Sequence, residues 1–329
     1  MAKRKTVYLG ALLGLILLYF SFQGVSLDQI WSNIRRVNFG LIAAAIAFIV
    51  AEFILRAYRW KFLLRPHGGP KVNQLFSVLM IGYFSNNIIP LRMGELVRAQ
   101  FLGTNYQVNR ARALGTIVVE RVFDVLMLLT LFGLCLVLHD AFPESVKHGA
   151  FLAATGFASL VPVLYFFRTW RNGIIASVRK LSGGIRLGER LTVMIDNFGL
   201  GLTALNEFRN ILAIVTLSLL IWLTMIGSIS MVLIAFPFKV PFLAGAFVTV
   251  MLGLGMLLPA PPGNIGVYEA FAMMALLPFG VEREVALSFS LVLHFVELAI
   301  TTAIGLVCFV REVGSVESAV IRLWPDQAK

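Results

Sequence analysis

The chain has 329 residues, of which 59% are hydrophobic and only 14% charged, and its mean hydropathy is +0.86. An ordinary soluble domain carries about 25% charged residues, so this composition excludes one and defines an integral membrane protein. The net charge of +11 does not mark a nucleic-acid surface, because the lysines and arginines cluster beside apolar runs, where they set the orientation of membrane chains.

Apolar runs of about 20 residues recur along the chain, the length of a bilayer-spanning helix and unlike the alternating short strands of a β-barrel. The expected fold is an all-α polytopic bundle. The N-terminus joins Lys3, Arg4 and Lys5 to the apolar run from Val7 to Phe20, and Ser21-Phe22-Gln23 stands where a small-residue cleavage site would be. It reads as an uncleaved first membrane helix rather than a secretory signal. Full crossings are predicted at 7–22, 39–61, 113–138, 149–167, 211–236 and 285–310, with interrupted hairpins at 74–102 and 242–278.

With Lys3, Arg4 and Lys5 cytoplasmic, Arg56, Arg59, Lys61, Arg65, Lys71, Arg110, Arg112, the basic segment 168–209, Arg311 and Arg322 fall inside as well. Only Arg35, Arg36, Lys147, Lys239 and Arg283 fall outside. That bias predicts cytoplasmic N- and C-termini in a bacterial inner membrane. Arg56, Arg59 and Trp60 read as the interfacial anchor of a helix end, with lipid-headgroup contact as the alternative.

The two hairpins interrupt their apolar runs alike, with Pro90-Leu-Arg-Met-Gly94-Glu95 in the first and Pro262-Gly-Asn-Ile-Gly266-Val-Tyr-Glu269 in the second. Each places a proline four residues before a glycine and a glutamate soon after. Non-helical backbone at bilayer depth is tolerated where it is buried in protein or lines a polar cavity, so the matched pair points to a substrate path. On the predicted topology the first hairpin dips in from the cytoplasm and the second from the opposite side. The expectation is a single membrane domain with an inverted repeat, unit one at 39–138 and unit two at 211–310. Residues 168–209 between them read either as amphipathic helices on the lipid surface or as a linker of short soluble helices, with a turn at Ser182-Gly-Gly-Ile.

Candidate intramembrane charges are Arg92, Glu95, Glu120, Asp124, Glu269 and Glu297. At about 2.5–3.5 kcal/mol each, six such groups facing lipid unpaired would cost roughly 15–20 kcal/mol. They must face one another, water or a ligand. Glu120 and Asp124, four residues apart, share a helix face from which Arg121 is rotated by about 100°, and His294 and Glu297 share one in the same way. Half-helices beginning after Pro90 and after Pro262 would aim unpaired N–H groups at the breaks, and Arg92 beside the first would favour an anion such as a phosphate. Asn86, Asn87 and Asn264 add neutral donors.

Two readings stay open for several of these residues. Glu95 and Asp124 either pair structurally with Arg92, Arg98 or Arg121 or meet the substrate, and Asn86 and Asn87 either cap broken helix ends or bind. His294 reads as a satisfied interior histidine, whereas Glu120, Glu269 and Glu297 read as touching substrate or carrying a proton. Cys135 and Cys308 are small core hydrophobes without metal-ligand spacing, and neither a metal nor another cofactor is expected.

Arg92-Met-Gly-Glu-Leu-Val-Arg98 after Pro90, then Val119-Glu-Arg-Val-Phe-Asp124, then Pro262 to Glu269, resemble in this order the lysylphosphatidylglycerol synthase transmembrane-region family of flippase-like membrane domains. The resemblance covers nearly the whole chain and implies a lipid substrate. It carries the family's motif positions onto Pro90, Arg92, Gly94, Glu95, Arg98, Glu120, Arg121, Asp124, Pro262, Gly263, Gly266 and Glu269. Asn264 departs from the pattern, standing where the family often has a second glycine. In the two-part aminoacyl-phosphatidylglycerol synthases of that family a soluble domain transfers the amino acid from tRNA. A chain ending at Lys329 leaves no room for one, so aminoacyl transfer is not expected.

The expected function is a lipid translocase that moves a phosphate-bearing headgroup between the inverted hairpins. Asn86, Asn87, Arg92, Glu95, Glu120, Arg121, Asp124, Asn264, Tyr268, Glu269 and Glu297 would line the path, and Pro90, Gly94, Pro262, Gly263 and Gly266 would break the helices. The alternative is a membrane-embedded enzyme or accessory subunit in lipid-headgroup or glycan-lipid modification. It is less favoured because no nucleophile elbow or metal-ligand cluster is present. For the translocase, whether protonation of Glu120, Glu269 or Glu297 drives the cycle is the open question, since no P-loop is present to couple ATP. Expected partners are membrane lipids, with a second copy of the chain or lipid-synthesis enzymes left open, and no nucleic acid.

Overall fold

The computed structural model describes residues 2–64, 69–90, 93–138, 155, 160–182, 188–189, 192–193, 195–196, 199 and 207–313. Among the described residues there is no strand, and eleven α-helices have defined ends. They are α1 (Ala2–Phe22), α2 (Leu27–Arg35), α3 (Phe39–Leu64), α4 (Val72–Ile88), α5 (Gly94–Tyr106), α6 (Arg110–Leu138), α7 (Leu160–Ser182), α8 (Phe208–Ala235), α9 (Leu243–Gly255), α10 (Val267–Leu276) and α11 (Arg283–Val313). The protein is an all-α polytopic membrane protein.

Helices α3, α6, α8 and α11 are long and apolar enough to cross a bilayer. The shortest, α3 with 26 residues, rises about 39 Å against a hydrocarbon core of about 30 Å. Helices α1 and α2 meet at an 84° bend and form a fifth candidate span if taken together; α2 was not anticipated. By contrast α4, α5, α9 and α10 have 17, 13, 13 and 10 residues, so each reaches only about 15–26 Å. The predicted boundary at residue 167 falls inside α7, where Phe-Phe-Arg-Thr-Trp offers no helix breaker. The rest of the predicted crossing 149–167, most of the linker beyond α7 and the turn after Ser182 lie outside the described residues.

Side-chain contacts along α11 show how deep each hairpin goes. The Asn87 amide, at the end of α4, donates to the hydroxyls of Thr301 and Thr302 near the middle of α11. Asn105 and Tyr106, at the end of α5, donate to Glu312 at the C-terminal end of α11. The first hairpin therefore enters and leaves on one side and turns at mid-depth. For the second hairpin, His294 of α11 meets the backbone of Gly263 in the break. Its two outer ends come together where the Phe247 and Phe279 rings pack edge to face, on the side where α11 begins. The hairpins enter from opposite sides.

The two units are antiparallel. Asn38, ahead of α3, donates its N–H to the carbonyl of Ala235 at the end of α8, and further along Arg59 meets Ser218. Packing repeats on exchange of the units: α3 lies along α8, α4 packs on α11 as α9 packs on α6, and α5 packs on α6 as α10 packs on α11. Outside this symmetry, α1 lies on α10, with Gly10 and Gly14 against Ala260, Pro261 and Ile265 of the second break. Arg283 at the start of α11 donates to the Phe20 carbonyl near the end of α1.

Candidate functional site

The first half of the site is a buried ionic cluster built from α3, α5, α6 and α8. Arg98 of α5 binds Glu120 of α6 through both guanidinium arms, at 3.2 and 2.9 Å, and lies 4.0 Å over the Trp60 ring. Trp60 in turn donates to Thr116 of α6 at 3.0 Å. Arg59 donates to Asp124 at 2.7 Å and to Ser218 of α8 at 3.0 Å, and Arg56 donates to Glu52 at 2.7 Å, one turn away on α3. Bidentate pairing and stacking suit arginine's planar fork, which is hydrated less strongly than an ammonium group.

Arg121 differs from these three. Arg59 and Glu120 have 0% and 1% of their side chains exposed, whereas Arg121 is 45% exposed and stands 3.3, 3.5 and 3.9 Å from Glu120, Asp124 and Glu95. It shares three acids and is held tightly by none. The cluster has four arginines and four carboxylates, yet Arg56 Nη1, Arg59 Nε and Nη2, and Arg98 Nε have no hydrogen-bond partner among the described residues. Charge is balanced, and spare guanidinium donors remain.

The second half of the site is the break before α10. Gly263 (φ +67°), Asn264 (φ +58°) and Gly266 (φ +86°) all adopt left-handed backbone, a region glycine enters freely and asparagine more readily than other side chains. The position where Asn264 departs from the family pattern thus has a backbone explanation. Glu269 Oε2 accepts the N–H of Gly266 at 2.6 Å, and its other oxygen meets His294 Nδ1 at 2.6 Å. Tyr268 stacks on His294 at 4.2 Å and donates to Glu297 at 2.7 Å. Tyr268 also lies within electrostatic reach of Glu52, so the two halves of the site meet between α3 and α11.

The first break is closed differently. Gly94, the first residue of α5, donates its N–H to Asn86 Oδ1 at 2.7 Å, and its Cα packs so closely on the Gly82 carbonyl that a Cβ would overlap it. The leading N–H at each break is thus capped by the protein's own side chain. Asn86 caps, and Asn87 ties the first tip to α11. Pro90 is half-buried in the turn, and Pro262 and Gly263 open the second one. Arg92 lies outside the described residues.

The interfacial reading of Arg56, Arg59 and Trp60 is overturned. All three are buried, Arg59 and Trp60 completely, because α3 continues to Leu64 and the acids of α6 draw the guanidinium groups inward. Glu52 was missed altogether, although an acid and an arginine four residues apart within an apolar run signal an internal pair. A cavity of about 480 Å³ between α4 and α11, lined by Phe76, Ser77, Ile304, Val307, Cys308 and Arg311 among others, was also not anticipated. Among the described residues no three His, Cys, Asp or Glu side chains are grouped as metal ligands would be.

Fold and site together define a class of membrane protein in which two oppositely inserted re-entrant hairpins meet at mid-depth beside an ionic cluster. Residues 7–305 match the family described as "Lysylphosphatidylglycerol synthase TM region", and the chain belongs to that family. It is 28% identical to a protein named Glycosyltransferase AglD of Haloferax volcanii, over 92% of this chain and 54% of that protein. It is also 27% identical to a UPF0104 membrane protein of Methanothermobacter thermautotrophicus, over 83% of this chain and 84% of the relative. The chain therefore spans about half the length of AglD and most of the length of the UPF0104 protein.

Proposed function

We propose that this protein is a lipid translocase of the cell membrane, with both termini in the cytoplasm, and that it passes a phosphate-bearing headgroup between the two hairpin tips while the acyl chains stay in the bilayer. The observation that carries this reading is the exposed, shared arginine beside the first hairpin tip. Arg121 is bordered by Glu95, Glu120 and Asp124 at long, shared contacts. A phosphate reaching Arg121 would replace these contacts with charge-assisted hydrogen bonds. Hairpins inserted from opposite sides provide two gates around one site, the arrangement alternating access requires.

The test is headgroup accessibility to an impermeant quencher in vesicles carrying fluorescent phospholipids or glycolipids. Vesicles with the protein exchange lipid faster than empty ones, and Arg121→Ala loses most of the gain while the protein stays folded. The name of the AglD relative supports a second reading, an accessory role in glycosyl transfer to lipid. Exchange no faster than in empty vesicles across both lipid classes would favour that reading.

A further inference from the structure

The second break contains a titratable pair that the ionic cluster does not share. His294 Nε2 lies 2.8 Å from the carbonyl oxygen of Gly263, and Nδ1 lies 2.6 Å from Glu269 Oε1. A carbonyl can only accept, so Nε2 carries a hydrogen. A flipped ring would put carbons at both positions, well inside the C···O contact distance of about 3.3 Å, so the distances themselves identify the nitrogens. A neutral imidazole and a carboxylate would face each other across Nδ1 and Oε1 with lone pairs alone, and a 2.6 Å contact requires one proton between them. Whether that proton sits on nitrogen or oxygen, the pair as a whole is uncharged.

We infer that Glu269 and His294 form a proton-binding site that latches the second break, and that its proton is exchanged only when the hairpin tip parts from α11. Both side chains are buried. Removing the proton in place would leave a lone buried carboxylate without a counter-charge. Among the described residues the charged group facing the pair is a further acid, Glu297 of α11, bonded to Tyr268, and it opposes loss of the proton further. Helix α1 approaches the break through the backbone of Gly14, α4 brings the neutral Asn87, and α9 has no titratable side chain. The same proton links the break to α11 at one end through the Glu269–Gly266 bond and at the other through the His294–Gly263 bond. Glu120 is unsuited to this role because Arg98 occupies both its oxygens.

The coupling of this proton to lipid passage rests on the translocase reading; the proton site itself does not, and the experiment separates them. Nitrogen-15 histidine NMR on the whole protein in lipid nanodiscs, from about pH 5.5 to pH 8.5, reads the site directly. His294 keeps one spectrum throughout, with the shared proton, while Glu269→Gln converts it to a neutral ring bearing hydrogen on Nε2 alone. Glu297→Gln keeps the pair intact and leaves the His294 spectrum insensitive to pH, so the test stands even where Glu269→Gln does not fold. An ordinary titration of His294 to the neutral form in the unaltered protein would overturn the proposal. In vesicles, an imposed pH gradient accelerates lipid exchange several-fold, and His294→Asn removes that response. Exchange indifferent to the gradient overturns the coupling, whereas no exchange at any pH overturns only the translocase reading.

Discussion

The two breaks occupy equivalent places in the inverted units and are held by different chemistry. The first is closed by neutral amides, Asn86 on Gly94 and Asn87 on two threonines of α11, and sits beside four arginines. The second is closed by a carboxylate and a histidine and is covered by α1 through close glycine packing. A shared topology therefore demands only that mid-depth backbone be satisfied. It leaves open whether the satisfying groups are inert or titratable. Among the described residues the second tip is held by titratable groups, and the first borders the exposed arginine.

The sharpest way to break this comparison is to alter the backbone contact common to both tips. A Cβ on Gly266 would overlap the Gly14 carbonyl and a Cβ on Gly94 would overlap the Gly82 carbonyl. Gly266→Ala and Gly94→Ala are each expected to cost more than about 4–5 kcal/mol, seen as loss of folded, monodisperse protein in detergent. Next comes the ionic cluster of the first unit. Arg98→Leu removes the bidentate partner of a buried carboxylate, leaving it only the longer Arg121 and Arg59 contacts. It should cost about 3 kcal/mol in reversible unfolding, and Arg98→Leu with Glu120→Leu should recover part of it. An additive double variant would show that the pair is not the unit of stabilisation.

Smaller effects sharpen the difference between the tips. Asn87→Ala removes two hydrogen bonds and should lower stability by about 1–2 kcal/mol, by the same amount at mildly acidic and mildly alkaline pH. A pH-dependent loss would mean that the first tip also carries a proton. An effect of similar size is expected from Gly263→Ala. Its φ is +67°, but the nearest atom to a new Cβ is 3.4 Å away, so backbone strain of about 1–2 kcal/mol is the whole penalty. Thermal midpoints of this variant and Gly266→Ala should differ widely.

The crossings α3, α6, α8 and α11 were legible because long apolar runs bounded by charge leave few alternatives, and the hairpin tips because proline and glycine interrupt such runs visibly. Pairings across the chain were not. Nothing in the spacing of Arg98 and Glu120, or of Arg59 and Asp124, tells which arginine meets which acid, since those contacts depend on how α5 and α3 lie against α6. Arg59 was misread because an arginine near a helix end is most often interfacial, and only the inward acids of α6 reverse that rule. Glu52 and the Gly10–Gly14 spacing were readable in principle, as an internal i,i+4 pair and as a small-residue packing face. Glu269 and His294 were each singled out, but their shared proton emerges only from the distances.

The seam between the units bears on mechanics. Along α3 and α8 run the Asn38–Ala235 backbone bond, the Phe48 ring against Gly227, the Arg56 contact with the Met225 sulfur and the Arg59–Ser218 bond. Rocking one half as a rigid body over the other would shear all of these at once and drag buried guanidinium groups through an apolar interface. Displacing a tip disturbs two or three hydrogen bonds. The described contacts bind the units along the central axis more extensively than they bind either tip, so the translocase reading predicts the stroke of a pair of flaps on a fixed spine.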